Sequence, residues 1–246
     1  MNLFSGKVAA ITGGSNGIGL AAAKLLRQQG ANVAVCGQNQ PRLAQAESEL
    51  GVMACQTDVS DTQQLAAFYA ATAERFGPID ILLVNAGVFE SRPLAEVDEA
   101  FFDWQFRVNT KGAYFSVQQA LPYLRDGSAI VLTSSMVHSA GWPGCSVYAA
   151  SKAAVRSLAR SFAAELAVRN IRVNSLSPGV TQTAMLEWPA MTPEQRSAGH
   201  EALRARIPLG RFAAPEQIAQ AMLFLASPDG YMTGGDVLVD GGITTL

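Results

Sequence analysis

The chain has 246 residues, of which 49% are apolar, 15% charged and 8% aromatic, and its 18 Lys and Arg against 20 Asp and Glu give a formal charge of −2. That balance excludes the strongly basic surface of a nucleic-acid binder or of a protein held on acidic membranes, and the length suffices to bury a core without disulfide staples. Three cysteines, Cys36, Cys55 and Cys145, are odd in number and form no CxxC pair, so reduced thiols packed as small apolar side chains are expected rather than a disulfide framework or a cysteine metal site. Met1 to Lys7 leads straight into a short apolar run, and no apolar run approaches the ~20 residues of a membrane span. The expectation is a cytoplasmic protein with no membrane or nucleic-acid partner.

Short apolar runs bounded by glycine alternate with longer Ala-rich stretches. Lys7 to Thr12, Asn32 to Cys36, Val52 to Thr57, Ile79 to Asn85, Ser128 to Ser134, Ile171 to Leu176 and Asp236 to Asp240 read as strands. Their near-continuous hydrophobicity is that of strands buried on both faces. Ile18 to Gln29, Asp61 to Phe76 and Val147 to Val168 read as helices among the stretches between them. Seven strands with helical crossovers predict an α/β fold, a Rossmann-type doubly wound parallel seven-stranded sheet with helices on both faces. No linker, low-complexity tract or repeat divides residues 1–246, so one domain is expected. Residues 181–210, with Trp188, Pro189, Pro193 and Pro208 and a helical stretch near Pro193 to Arg206, break the alternation and read as a mobile cover over a site, with an ordinary surface excursion as the plainer alternative.

The first strand runs into Thr12-Gly13-Gly14-Ser15-Asn16-Gly17-Ile18-Gly19 and directly into a helix. Glycines at 13, 17 and 19 permit a tight turn, close approach of a diphosphate to the backbone and close packing of helix on strand. The helix N-terminus then offers free N–H groups and a partial positive charge to phosphate. The strand-turn-helix context makes this a dinucleotide site rather than a plain turn.

With the spacing Gly-x3-Gly-x-Gly, the sequence resembles the classical short-chain dehydrogenase/reductase family, and the resemblance extends from Lys7 to Val239-Asp240-Gly241-Gly242. Asp58-Val59 resembles the family's adenine contact. Asn85-Ala86-Gly87 resembles its Asn-Asn-Ala-Gly motif, with Val84 in place of the first Asn. Pro178-Gly179-Val180 with Thr183 resembles the segment that contacts the nicotinamide carboxamide. The choice of cofactor falls at the end of the second strand, where a carboxylate would bond the ribose 2′-hydroxyl and repel a 2′-phosphate. Val35-Cys36-Gly37-Gln38-Asn39 has no carboxylate there, while Gln38 and Asn16 are neutral where NADP-binding members often carry a base. Gln38 can still donate hydrogen bonds to a phosphate, which tilts the expectation to NADP(H) over NAD(H).

Tyr148 and Lys152 lie four apart, one turn of a helix, on the stripe Tyr148, Lys152, Val155, Ala159, Phe162, Leu166. A lysine on a core-facing stripe is costly and needs a partner or a task. Its ammonium is expected to favour tyrosinate and so lower the Tyr148 pKa, fitting Tyr148 to exchange a proton with an alcohol or carbonyl. Ser135, at the end of the fifth strand, stands at the Ser-x12-Tyr-x3-Lys spacing that is the family's catalytic signature. Asn109 falls on the stripe Phe102, Phe106, Asn109, Ala113, Val117. The resemblance gives Asn109 the task of anchoring a water that relays protons to the lysine, whereas a local back-bond to its helix is the plainer reading.

The resemblance implies hydride transfer between nicotinamide and a carbonyl or secondary alcohol. Tyr148 would serve as the proton donor, Ser135 would hold the oxygen, and Lys152 would also bond the nicotinamide ribose. With two histidines, His138 and His200, and no cluster of them, no metal is expected. Met136, Val137, Trp142, Met185, Leu186 and Trp188 are placed to form an apolar substrate wall suited to an apolar or aromatic ketone or alcohol, and each could equally be core. His138 is expected as exposed loop or, alternatively, as a contact to the substrate oxygen. The family further implies a homotetramer. Two other functions are weighed: an epimerase or dehydratase of the same superfamily, and a non-catalytic dinucleotide-binding regulator. The regulator would be expected to have lost Ser135, Tyr148 or Lys152.

Overall fold

The computed structural model describes residues 3–188 and 191–246; Met1 and Pro189, which lies within the expected cover, fall outside them. Seven strands form one parallel sheet in the order β3-β2-β1-β4-β5-β6-β7. In chain order these are β1 (Val8–Thr12), β2 (Asn32–Gly37), β3 (Met53–Gln56), β4 (Ile79–Val84), β5 (Leu124–Thr133), β6 (Arg172–Pro178) and β7 (Asp236–Val239). The predicted strands lie where they were expected, with ends displaced by a few residues. The largest displacement is at β5, which begins at Leu124 because its first residue pairs with Ile79 across a register shift before the regular ladder starts at Ile81 and Ala129.

Helices cover both faces. α1 (Gly17–Gln28), α2 (Gln40–Leu50) and, late in the chain, Pro215–Ala226 lie on one side; α3 (Thr62–Phe76), α4 (Glu99–Phe106), α5 (Gly112–Ala120) and α6 (Ser146–Leu166) lie on the other. Strand alternation divides the core between the faces. Val8, Ala10, Ala34 and Cys36 meet Phe68, Tyr69, Val117 and Val155, while Ala9, Ile11, Val33 and Val35 meet Ala22, Leu26, Leu43 and Met222. Several helices begin at side-chain caps. Asn39 caps α2 through Arg42 N, and Asp61 caps α3 through Gln63 N and Gln64 N. α7 (Pro193–Ala205) opens on a capping box of Thr192 and Gln195, and α8 is the Pro215–Ala226 helix.

The chain winds outward from β1 through β2 to β3, then returns to place β4 on the other side of β1. That reversal opens a crevice at the carboxyl ends of β1 and β4, where doubly wound sheets take their ligands. All three cysteines are free thiols. Among the described residues, no helix is long and apolar enough to cross a membrane, and no group of three or more His, Cys, Asp or Glu could hold a metal ion.

Candidate active site and cofactor site

The turn between β1 and α1 is built against neighbours that leave no space for side chains. A Cβ on Gly13 would lie 2.8 Å from Ala86 Cα, one on Gly17 2.9 Å from Thr183 Cγ2, and one on Gly19 2.2 Å from the Gly13 carbonyl oxygen. Gly13 and Gly17 also sit at φ +66° and +53°, in the left-handed region. Asn16 caps α1, its Oδ1 accepting from Gly17 N at 2.7 Å, so the first-turn N–H groups of Ile18 and Gly19 remain for an anion. Asn85 Nδ2 donates to the Gly13 carbonyl at 3.1 Å, and buried Thr12 Oγ1 accepts from Asn85 N and Ala86 N at 3.1 and 3.2 Å. The turn after β1 and the segment after β4 thus form one rigid wall of the crevice.

The remaining residues expected to hold the cofactor converge on this wall. Gly37 and Ser15 are in contact, since a Cβ on Gly37 would lie 3.0 Å from Ser15 Oγ, and Gln38 is exposed at the tip of β2. Asp58 accepts from Ser60 N at 2.8 Å, and Val59 packs against Gly112 at the start of α5. Gly179 packs so closely on Asp240 that a Cβ would come within 2.5 Å of its Cα. The chain then carries Val180 to the bridge at Thr181 and brings Thr183 over Gly17. These close backbone approaches leave a cradle of the kind a dinucleotide diphosphate fits.

α6 projects Tyr148 and Lys152 toward the carboxyl end of β5, and Val155, Ala159 and Phe162 continue the stripe into the core. Lys152 is 4% exposed; its Nζ donates to the Thr133 carbonyl at 3.0 Å and lies 5.8 Å from the centre of the Tyr148 ring. Ser134 Oγ donates to the Lys152 carbonyl at 2.9 Å, tying the helix to the strand end. Buried Ser135 heads a one-turn segment, Met136–His138, and its hydroxyl is the neighbour that favours ionisation of Tyr148.

The expected lowering of the Tyr148 pKa is corrected by the structure. Burial pushes the phenol up to about 12 and outweighs the Ser135 hydroxyl, while Lys152 is itself pushed down to about 8 by burial. The Lys152 amine, 5.8 Å from the ring centre, does not offset the burial of the phenol.

Asn109 is 1% exposed, but the stripe proposed for it fails at its start. Phe102 is 42% exposed, and the buried face of α4 is Phe101 and Gln105. A five-residue π turn, Arg107–Lys111, separates α4 from α5 and rotates the buried face by one residue, after which Asn109, Ala113 and Val117 point inward as expected. Asn109 Oδ1 accepts from Val88 N at 2.8 Å, and its Nδ2 donates to the Val88 carbonyl at 2.9 Å and to Ser151 Oγ at 3.1 Å. The partners are tertiary, not a back-bond to its own helix. Gly87 lies between Asn109 and Lys152: a Cβ there would be 3.1 Å from both Oδ1 and Nζ.

Phe89 escaped the sequence reading. It meets the Tyr148 ring edge-to-face at 4.8 Å, held in place because Asn109 grips Val88 and Gln105 Nε2 donates to the Glu90 carbonyl at 3.2 Å. The only signal in the sequence is an aromatic residue two positions beyond Asn85-Ala86-Gly87. Of the expected substrate wall, Met136 and Val137 are buried, Met185 is exposed, and Trp142 lies beneath the Arg206 guanidinium at 3.8 Å. Trp188 packs on Gly199 and His200 of α7, and His200 Nε2 donates to the Leu186 carbonyl at 2.9 Å, so these residues hold the cover together. His138 is neither exposed loop nor free, because its ring bonds Asp236 at 3.3 Å.

A family model described as enoyl-(acyl carrier protein) reductase matches residues 13–244. The chain belongs to the short-chain dehydrogenase/reductase family. Among curated relatives, this reductase-family chain is 39% identical to oxidoreductase asL5 of Sarocladium schorii over 99% of its length and 98% of the relative's. It is likewise 39% identical to a 3-oxoacyl-acyl-carrier-protein reductase of Thermotoga maritima, over 98% of each chain. The solved structure of a levodione reductase superposes with a TM-score of 0.93 at 31% identity, covering 98% of both chains. The short-chain dehydrogenase/reductase fold thus extends over the whole sheet.

Proposed function

We propose that this short-chain dehydrogenase/reductase reduces an apolar or aromatic ketone, with oxidation of the corresponding secondary alcohol as the reverse reaction. The observation that carries this reading is the convergence of Ser135, Tyr148 and a buried Lys152 beside Gly87, at the carboxyl edge of the sheet. NADP(H) is the proposed cofactor, held by Gly13 to Gly19, Gln38, Asp58-Val59, Asn85 to Gly87, Tyr148, Lys152, Pro178 to Val180 and Thr183. When bound, the nicotinamide supplies the hydride. Ser135 orients the carbonyl oxygen, and Tyr148, whose raised pKa keeps its proton at neutral pH, donates that proton to the oxygen. Lys152 would hold the nicotinamide ribose when the cofactor is bound, and it accepts or returns a proton near its own pKa of about 8. Asn109 spends its side chain on Val88 and Ser151, so its contribution to a proton path is to fix both walls around Lys152. Phe89, packed edge-to-face on Tyr148, puts an aromatic ring beside the proposed proton donor, which supports the apolar ketone.

The preference for NADP(H) rests on the β2 end, where Gln38 and Ser15 offer neutral donors and no carboxylate repels a 2′-phosphate. A panel of apolar and aromatic ketones assayed with NADPH and NADH tests both parts. Reduction with the higher kcat/KM for NADPH is expected. Cofactor binding without turnover of any carbonyl in the panel would overturn the activity, and a strong preference for NADH would overturn the cofactor assignment.

A further inference from the structure

We propose that His138 is a positioning residue which, acting through Asp236, fixes the turn that carries Ser135. This inference rests on the assignment of Ser135 to the substrate oxygen. The backbone after β5 leaves the sheet at Ser134, whose N–H makes the last ladder bond to Leu176 at 2.7 Å. The following segment has one local bond of ordinary length, His138 N to the Ser135 carbonyl at 3.1 Å, and two long ones, Val137 N to Ser135 Oγ at 3.5 Å and Ser139 N to the Met136 carbonyl at 3.4 Å. A single 3₁₀ turn is poorly held by its own hydrogen bonds. Ser134 Oγ ties the start of this segment to the Lys152 carbonyl, and at its far end His138 Nε2 lies 3.3 Å from Asp236 Oδ2. With a carboxylate as partner, that nitrogen carries the proton.

Asp236 is itself held from three further sides. Ser175 Oγ donates to Oδ1, Ser177 Oγ lies 2.9 Å from each carboxylate oxygen, and Arg156 Nε lies 3.8 Å from Oδ1 while its Nη1 donates to the Gly234 carbonyl at 3.2 Å. The His138 and Asp236 side chains are 18% and 15% exposed. Arg156 stands one helical turn beyond Lys152 on α6. The same carboxylate therefore references both the helix bearing Tyr148 and Lys152 and the turn bearing Ser135, and it keeps their hydroxyls in register. Misplacing a positioned group by a fraction of an ångström to an ångström is costly to turnover even where no catalytic atom is lost.

The test compares His138→Ala, His138→Gln and Ser135→Ala with the parent enzyme, and repeats His138→Ala in an Asp236→Asn background, using the ketone most active in the panel. His138→Ala is expected to lower kcat by about tenfold with little change in cofactor affinity or Tm, and His138→Gln, whose amide can still donate, to restore most of the rate. In the Asp236→Asn background the further loss on His138→Ala should shrink to about twofold or less, because the shared link is already weakened. A kcat within twofold of the parent for His138→Ala, equal losses for Ala and Gln, or an undiminished tenfold loss in the Asp236→Asn background would each overturn the proposal. If Ser135→Ala retained the parent rate, the role of Ser135 would fall. If Ser135→Ala were inactive while His138→Ala was normal, only the role of His138 would fall.

Discussion

Lys152 shows at the scale of one residue how stability is traded for chemistry. Its ammonium is almost wholly removed from water, and burial lowers its pKa from 10.5 to about 8. Between pH 8 and 10.5 the unfolded chain binds more protons at this lysine than the folded one, so its contribution to stability rises with pH across that window. Below pH 8 the cost of burying the charge is fully present, about 3 kcal/mol for a shift of this size. Lys152→Met should therefore raise the Tm at pH 7 and flatten the rise toward pH 9.5, while turnover falls by about a hundredfold or more. Thermal unfolding at the two pH values measures it, and a lowered Tm at pH 7 would count against the account. Tyr148 gives a matching kinetic expectation. With its pKa pushed up to about 12, alcohol oxidation, which needs the tyrosinate, should accelerate steadily from pH 7 to 10, and carbonyl reduction should not. Rate profiles in both directions check this.

At the scale of elements, what the sequence made legible was what periodicity and fixed spacing encode. The glycine turn, the Tyr148 and Lys152 stripe and the order of strands and helices are local patterns, and the structure places them where those patterns put them. The π turn before α5 was not legible, because Phe102, Phe106 and Asn109 fit a 3.6-residue repeat and one extra residue in a turn leaves no local signature. Phe89 was hidden for a different reason: its position over Tyr148 is set by Gln105 and Asn109, which belong to another part of the chain. The glycine turn yields a sharp expectation. A methyl group on Gly19 would meet the Gly13 carbonyl, which is backbone and cannot swing aside, so α1 must tilt away from β1. Gly19→Ala should weaken NADPH binding by at least about tenfold, read by fluorescence titration, with most of the circular dichroism of the fold retained.

At the scale of the whole molecule, the reversal of strand order sets one crevice at the carboxyl ends of β1 and β4, and the proposed catalytic groups and the glycine turn come to it from segments far apart in sequence. The link between His138 and Asp236 belongs to this scale too. It joins residues 98 positions apart, and no spacing rule points to it. Phe102 and Tyr114 on α4 and α5, and Phe224 and Leu238 on α8 and the edge strand β7, are among the exposed apolar side chains. The proposed assembly is the homotetramer that the family resemblance implies. Sedimentation at micromolar concentration should give a tetramer, and a monomer would refute it. Binding energy should also appear as stability of the entire fold. Saturating NADPH should raise the Tm more than NADH at equal concentration, since a ligand at a hundred times its Kd adds about 2.7 kcal/mol.

Whether Tyr148 gives the proton to the substrate oxygen is decided by single-turnover reduction with Tyr148→Phe. The ring and its packing against Phe89 are kept, so NADPH binding should remain close to that of the parent enzyme. The rate of ketone reduction should fall by about a hundredfold or more. Reduction at the parent rate by that variant, with cofactor bound, would contradict the account.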